Sequence, residues 1–166
     1  MSLLSSVPIQ RIDDLVTKES EGYVTPKVDV RAAVFKRDKI LLVKEKSDGC
    51  WTMPGGYADV GLSASQNVEK EVKEEAGITV VAKQLISLKH KAQGNYKPDV
   101  RDFYKLFFLC EQTDEVEAKP GLETADVGYF DRDHLPPLSR GRVIEEDLWL
   151  AWDFKDNKRQ NICFAR

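Results

Sequence analysis

Alternating apolar and polar residues predict β-strands along much of this chain. In Lys27–Lys36 the apolar residues occupy every second position, so that Val28, Val30, Ala32 and Val34 share one face of an extended segment. Further short apolar or β-rich runs predict strands at Ile40–Lys44, Trp51–Pro54, Val80–Val81, Leu85–Leu88 and Tyr104–Cys110. The last of these runs is apolar on both faces, which is typical of a strand in the middle of a sheet.

A four-residue repeat of apolar positions predicts a helix that begins near Ala64. Ser63 and Gln66, three residues apart, form a capping box, and Gly77 is placed to end the helix in a left-handed conformation. The buried stripe of this helix is predicted to be Ala64, Val68, Val72 and Ala76. Helical spacing also predicts a second helix over Arg142–Phe154. Spacing alone therefore predicts a domain of mixed α and β structure.

Turn-forming residues predict a loop over Ala92–Asp102, with Tyr96 at an exposed tip. The chain shows no internal repeat, low-complexity tract or linker, so we expect one domain over residues 26–166. Residues 1–25 form a mixed, polar N-terminal segment, and its first residues could in part be an expression leader.

Composition excludes several classes of protein. No apolar run approaches the roughly 18 residues of a membrane span. A net charge of −3 gives no basic field for tight binding to long nucleic acid. The 3 cysteines are widely spaced, which argues against a zinc site or a disulfide framework and predicts a reducing, cytoplasmic location.

Three carboxylates suggest chemistry on the first predicted helix. Glu71, Glu74 and Glu75 follow i, i+3, i+4 spacing, and three negative charges this close repel one another unless a cation lies among them. Oxygen ligands of this kind suit Mg²⁺ or Mn²⁺. Taken alone, the segment is typical of an ordinary solvated helix face. The preceding Gly55-Gly56 pair and the loop containing Asp59 favour a loop–helix metal platform, because glycines let a ligand approach the main chain closely.

Residues 55–78 resemble the Nudix box, which reads Gly, five residues, Glu, seven residues, Arg-Glu-apolar-any-Glu-Glu-any-Gly-apolar. The matching positions are Gly56, Glu71, Val72, Glu74, Glu75, Gly77 and Ile78. Two positions depart from the pattern, since Leu62 replaces the first Glu and Lys70 replaces the Arg. The segments YVTPKVDVRAAVF, ILLVKEKSDG and YKLFFLCE resemble a bacterial subgroup that includes CDP-choline and ADP-ribose pyrophosphatases. Members of that subgroup carry an N-terminal helical region, which we expect to be missing here or retained only as residues 4–22.

The resemblance implies a fold and a metal site. The fold would be an α/β (in some schemes α+β) three-layer α/β/α sandwich around a mixed sheet. Glu71 and Glu75 would bind Mg²⁺ or Mn²⁺ directly, with Glu74 as a third or water-mediated ligand and the carbonyl of Gly55 as a main-chain ligand. The base that activates water would be Glu71, Glu74 or Glu123.

Two cationic residues in apolar strands are candidates for binding substrate phosphates. Arg31 and Lys105 would be costly to bury without a partner. The alternatives are a structural ion pair, such as Arg31 with Asp29, and an edge position for Lys105. Asp59 is a further candidate for contact with metal or substrate.

The expected activity is metal-dependent hydrolysis of the pyrophosphate bond in a nucleoside diphosphate linked to a group X, resembling CDP-choline or ADP-ribose. Leu62 keeps an alternative open, namely a nucleotide-binding or sensor protein of the same fold with weak or no hydrolase activity. The expected partner is a small nucleotide derivative, and a homodimer is left open.

Overall fold

The segments predicted as strands lie in one mixed sheet, together with three strands that were not predicted, at Gly55–Tyr57, Thr124–Phe130 and Cys163–Phe164. In the computed structural model, which describes residues 23–164, its strands are β1 Lys27–Lys36, β2 Lys39–Glu45, β3 Trp51–Thr52, β4 Gly55–Tyr57, β5 Val80–His90, β6 Phe103–Gln112, β7 Thr124–Phe130 and β8 Cys163–Phe164. The described residues also form helices α1 Ala64–Ala76 and α2 Glu145–Lys155 and a short 3₁₀ turn, Lys91–Gln93.

The sheet is built around β1 and β6. The strand order is β3-β2-β1-β6-β5-β8, with β4 paired to β1 and β7 paired to β2. Strands β1 and β6 run parallel, whereas β2 and β4 pair with β1, and β5 with β6, in antiparallel fashion. The predicted central position of the Tyr104–Cys110 run is therefore confirmed. Pairing of β4 with β1 places Gly55 opposite Arg31, which brings the glycine pair to the predicted phosphate-binding strand.

Each face of the sheet packs against one helix. Helix α1 covers one face, where Val68, Val72 and Ala76 meet Val30 and Ala32. On the other face, Leu148, Trp152 and Phe154 of α2 pack against residues that include Ile40 and Phe107. These two cores confirm the three-layer α/β/α sandwich, and burial of apolar surface on both faces stabilises it.

The ends of α1 follow the predicted capping chemistry. The backbone N–H of Gln66 donates to Ser63 Oγ at 3.1 Å, and the N–H of Ser63 donates to Gln66 Oε1 at 2.9 Å. Gly77 ends the helix with φ 73°, in the left-handed region that favours glycine. These two ends determine which residues belong to α1, and therefore which side chains the helix can direct toward the site.

Three predictions about elements require correction. Thr79–Lys89 was expected to hold two strands but forms the continuous β5, whose irregular register with β6 hides the alternation. Helix α2 begins at Glu145 rather than Arg142. Tyr96 is 6% exposed, so its predicted exposed position is wrong. Its O–H donates to the Asp147 carboxylate of α2, a partner far away in sequence.

Some predictions fall outside the part of the chain that the structure describes. The predictions of a leader and of a helical region within residues 4–22 concern residues that lie there, and the domain boundary at residue 26 stays a prediction. No helix within residues 23–164 is long and apolar enough to cross a membrane.

Candidate functional site

A cavity of about 470 Å³ opens beside β4 and α1. Most of its lining residues are charged, and both signs are represented. The acidic lining residues are Asp29, Glu45, Glu71, Glu75, Asp99 and Glu123, and the basic ones are Arg31, Lys91, Arg101, Lys105 and Arg142. A cavity of this kind suits a charged, polar ligand rather than an apolar one.

The glycine pair lets the main chain approach two of the predicted metal ligands. The N–H of Gly55 donates to Glu75 Oε2 at 2.9 Å. A side chain on Gly56 would come within 3.1 Å of the Glu71 carboxylate. Gly55 itself has φ 155°, and a Cβ there would lie 1.9 Å from the carbonyl oxygen of Val30. Only glycine fits this position, and both carboxylates therefore lie against the β4 backbone.

Burial makes these two carboxylates hard to ionise. Burial raises the pKa of Glu75 to about 8, and the nearby charges of Glu71 and Glu45 add to the effect against the opposing charge of Arg31. Burial also raises the pKa of Glu71, with Glu74 adding to the rise. A positive ion between the two side chains would favour their charged forms.

Glu74 and Asp59 lie outside the cavity lining, in contrast to the grouping predicted from helical spacing. The amine of Lys70 lies 3.3 Å from the Glu74 carboxylate and 3.0 Å from that of Asp59. Successive helix residues are about 100° apart, so Glu75 and Glu74 point in different directions from the axis. The predicted pairing of Lys70 with Glu74 is present. Roles for Glu74 and Asp59 as ligands stay predictions.

The carboxylates of Glu71 and Glu75 fit a hard divalent cation whose remaining ligands would be water and substrate phosphates. Within residues 23–164 no three His, Cys, Asp or Glu side chains cluster closely enough to hold a metal. Mg²⁺, however, is usually bound through one or two carboxylates together with water and substrate phosphates. Glu71 and Glu75 provide two carboxylates, and their raised pKa values mark a place where positive charge is favoured.

Arg31 forms the structural ion pair that was the alternative to substrate binding. It is 4% exposed and donates to both carboxylate oxygens of Asp29, at 2.8 and 3.2 Å, and to the carbonyl of Met53 at 3.1 Å. Lys105 is 2% exposed and also contacts Asp29, so it is not an edge residue. Both cations nevertheless line the cavity.

The Asp29–Arg31–Lys105 cluster has an excess of positive charge. Burial alone would raise the pKa of Asp29, but the charges of Arg31 and Lys105 outweigh it and lower the pKa. Burial lowers the pKa of Lys105 to about 8, although Asp29 opposes the shift. With one carboxylate for two cations, the cluster can offer positive charge to phosphate oxygens.

The loop between β6 and β7 brings Glu123 to the cavity. Gly121 donates its N–H to the carbonyl of Glu75 at 3.1 Å, and Thr124 Oγ1 donates to the same carbonyl at 3.0 Å. A Cβ on Gly121 would lie 1.8 Å from the carbonyl oxygen of Glu74, so this close crossing requires glycine. The predicted site residue Glu123 thus lies near Glu71 and Glu75 in space.

Sequence reasoning missed several cavity residues. Glu45 at the end of β2 pairs with Arg142 at 3.5 Å, and Asp99 pairs with Arg101 at 2.9 Å. In the sequence these four residues look like ordinary charged surface residues, and none of them belongs to a recognisable motif. The other missed lining residues are Tyr57, Lys91, Phe103 and Gly141.

Comparison with known proteins assigns the family. The model of the NUDIX domain matches residues 25–152. A Bacillus subtilis protein provisionally named ADP-ribose pyrophosphatase YjhB is 40% identical over 99% of this chain and 78% of its own. The chain belongs to the Nudix family. The predicted family and the predicted class of enzyme, a Nudix pyrophosphohydrolase, are thereby confirmed.

Solved Nudix structures share the same architecture. A crystal structure of an ADP-ribose pyrophosphatase from Streptococcus suis is 42% identical, has a TM-score of 0.76, and covers 85% of this chain and 100% of its own. A UDP-X diphosphatase structure is 28% identical with a TM-score of 0.81, covering 96% of this chain and 76% of its own. This Nudix hydrolase therefore shares its fold with an ADP-ribose pyrophosphatase and a UDP-X diphosphatase.

Proposed function

We propose that this Nudix hydrolase uses Mg²⁺ or Mn²⁺ to hydrolyse the diphosphate bond of a nucleoside diphosphate linked to a second group X. The convergence of Glu71 and Glu75 on Gly55-Gly56 in one charged cavity supports the proposal most directly. The names of the Streptococcus suis and UDP-X relatives favour a nucleoside diphosphate derivative, and the first of them names ADP-ribose. ADP-ribose-like molecules are thus the leading substrates, with CDP-choline-like molecules next.

The proposed reaction adds water across the phosphoanhydride linkage. A bond forms between the water oxygen and one phosphorus, the bridging P–O bond breaks, and a water proton passes to a carboxylate. A bound divalent cation would neutralise the phosphoryl oxygens and lower the pKa of a coordinated water. Glu71 and Glu75 hold this positive charge in place, while the Asp29–Arg31–Lys105 cluster attracts phosphate.

Two cavity carboxylates are candidates to accept the water proton. Glu71 and Glu123 both line the cavity, whereas Glu74, the third candidate from the sequence, does not. We therefore place water activation at Glu71 or Glu123. A proton accepted there returns to solvent when the products leave.

The position of Leu62 weakens the alternative of a non-hydrolysing sensor. Leu62 does not line the cavity, and the neighbouring Lys70 forms ion pairs with both Asp59 and Glu74. Replacement of the box Glu by Leu62 therefore leaves the two converging carboxylates intact. We expect the Leu62→Glu variant to hydrolyse substrate as well as wild type or better.

The proposal is tested by product release from ADP-ribose, CDP-choline and a UDP-sugar with Mg²⁺, with Mn²⁺ and with EDTA. Turnover of at least one substrate that EDTA abolishes is expected. Glu71→Gln and Glu75→Gln should each lower kcat/KM at least about 100-fold, the upper end of what loss of an outer-shell partner costs. Glu74→Gln is the matched control on the same helix and should lose far less.

Two results would contradict the hydrolase assignment. Saturable nucleotide binding without turnover of any of the three substrates would favour the sensor alternative. Undiminished turnover in Glu75→Gln would show that the cation-binding residues are wrongly assigned.

A further inference from the structure

One edge of the cavity carries aromatic rings and a cation whose arrangement the diphosphate chemistry does not require. Tyr57, Phe103 and Arg101 line this edge, which we call the aromatic rim. The rings of Tyr57 and Phe103 are stacked, with centroids 5.5 Å apart and an interplanar angle of 23°. The Arg101 guanidinium carbon lies 5.8 Å from the centre of the Tyr57 ring and 5.2 Å from that of Phe103.

The rim is held in a fixed arrangement before any ligand binds. Asp99 accepts from Arg101 Nε at 3.0 Å and from Nη2 at 2.9 Å, while Arg101 Nη1 donates to Tyr57 Oη at 2.8 Å. Phe103 is buried and supports one side of the cluster. Flat groups held in place in this way lose little conformational entropy when another flat group stacks on them.

Exposure separates Tyr57 from ordinary core aromatics. Its side chain is 49% exposed although it lines a cavity and follows directly after the glycine pair. A ligand that combines a charged part with a flat part can place the charged part in the cavity and stack the flat part on the exposed ring at its edge. An apolar docking surface would require a continuous apolar face, whereas this rim contains Arg101, and the same lining includes Lys91 and Asp99.

Position along β4 sets the distance between the rim and the carboxylates. Gly55 contacts Glu75, and Tyr57 lies two residues further along the same strand, about 7 Å away at the usual strand rise. A ligand with its diphosphate at Glu71 and Glu75 therefore has the rim within one sugar's length of the phosphates. Bases stack favourably on both aromatic rings and guanidinium planes.

We propose that the aromatic rim is the nucleobase subsite of this enzyme, where the base of the nucleoside diphosphate stacks against Tyr57 and the Arg101 guanidinium. The assignment rests on the proposed function in that the diphosphate is taken to lie at Glu71 and Glu75. Group X then extends toward the opposite side of the lining, away from Tyr57.

Binding of AMP, CMP and ribose 5-phosphate in Mg²⁺, measured by calorimetry, tests the subsite. None of the three contains a phosphoanhydride bond, so binding is measured without turnover. Wild type should bind at least one nucleotide more tightly than ribose 5-phosphate. Tyr57→Leu and Arg101→Met should each weaken nucleotide binding about 10-fold and leave ribose 5-phosphate unaffected.

Two further variants separate stacking from general damage. Tyr57→Phe keeps the ring and should restore affinity close to that of wild type. Tyr104 is similarly exposed, at 45%, but lies outside the cavity lining, so Tyr104→Leu should change nothing. Circular dichroism checks that each variant is folded, and Arg101→Met decides the question if Tyr57→Leu does not fold.

The possible results distinguish this subsite from the proposed function. Folded rim variants that bind AMP and CMP as wild type does would overturn the subsite, as would a wild type without preference for nucleotides over ribose 5-phosphate. Rim-dependent nucleotide binding in a protein that hydrolyses none of the diphosphate substrates would support the subsite and refute the hydrolase proposal. Hydrolysis of a diphosphate substrate by wild type, together with rim variants that bind nucleotides as wild type does, would support the hydrolase proposal and refute the subsite.

Discussion

At the scale of single residues, Glu75 is a side chain whose charge the folded chain disfavours. It is 9% exposed, and Glu71 and Glu45 are among the charges around it. Its carboxylate nevertheless accepts the N–H of Gly55, which fixes its orientation toward the cavity. An ionised carboxylate that is buried in this way destabilises the folded protein unless a cation binds to it, and this loss of stability can be measured.

Without divalent cations, the protein is expected to lose stability as the pH rises from about 4.5 to about 8. The folded-state pKa of Glu75 is about 8, above its ordinary value of 4.5, so the folded state binds more protons across this window. The stabilising protonated form is fully present below pH 4.5 and is lost as the pH passes 8. The resulting loss in unfolding free energy is on the order of 4 kcal/mol, or roughly 10 °C in Tm.

Thermal unfolding in EDTA across this pH range, compared between wild type and Glu75→Gln, checks the prediction. The variant cannot ionise at this position and should show a much flatter decline. Saturating Mg²⁺ should remove most of the wild-type decline, because the cation takes the place of the proton. Parallel curves for the two proteins would mean that Glu75 ionises normally in the folded state.

Residue-level prediction from the sequence grouped Glu71, Glu75 and Gly55 because a glycine pair precedes a capped helix with carboxylates at i and i+4. The structure brings these three residues into one cavity lining, and their roles stay predictions. Glu74 was grouped with them, since spacing alone does not show that Lys70 and Asp59 hold it at the surface. Glu45 and Arg101 were missed, because residues that meet only through tertiary folding leave no local pattern.

At the scale of elements, the loop between β5 and β6 is tied to α2 by one buried side chain. Tyr96 donates its O–H to both Asp147 oxygens, at 2.7 and 2.8 Å, and Asp147 also accepts the N–H of Ile144 at the start of α2. Burial and the Asp147 charge raise the pKa of Tyr96, so its hydroxyl stays protonated and can donate. The same loop carries Asp99 and Arg101 to the cavity.

Tyr96→Phe is expected to loosen this loop and raise KM with little change in kcat. Loss of a hydrogen bond to a charged group should cost about 1.5–3 kcal/mol of unfolding free energy, and the Asp99–Arg101 side of the cavity should become more mobile. Hydrogen exchange of the loop amides, together with steady-state kinetics, measures both effects.

A matched change at a surface tyrosine serves as the control for Tyr96→Phe. Tyr104→Phe removes a hydroxyl from a half-exposed ring outside the cavity lining and should alter neither exchange nor KM. This role of Tyr96 would be ruled out if the loop amides of Tyr96→Phe exchanged as slowly as those of wild type, or if the variant lowered kcat alone.

At the scale of the whole molecule, local patterns predicted which elements exist but not how they are arranged. The alternation in Lys27–Lys36 predicted β1 and the valines that α1 covers. The pairing of β1 with the distant β6, and of β4 with β1, depends on packing between segments far apart in sequence. Only the family resemblance supplied the three layers, because spacing within one segment carries no information about its neighbour in the sheet.

Two central strands that are far apart in sequence, β1 and β6, meet at a buried charge cluster, which links fold stability to the site. Asp29 on β1 pairs in register with Lys105 on β6 and forms an ion pair with it, while Arg31 connects β1 to Met53 beside β4. Removing the carboxylate would leave two buried cations without their shared partner. An unpaired buried charge typically costs about 3–5 kcal/mol.

Asp29→Asn removes the charge but keeps the size of the side chain. The unfolding free energy, measured in urea, should therefore fall by about 3–5 kcal/mol. The double variant Asp29→Asn/Lys105→Met restores the original charge balance and should recover part of the loss, so that the two changes are not additive. Because β1 and β6 form the centre of the sheet, fluorescence and circular dichroism should report the same shifted transition. A single variant as stable as wild type would show that the carboxylate does not hold these strands together, and additive losses in the double variant would exclude the charge-balance explanation.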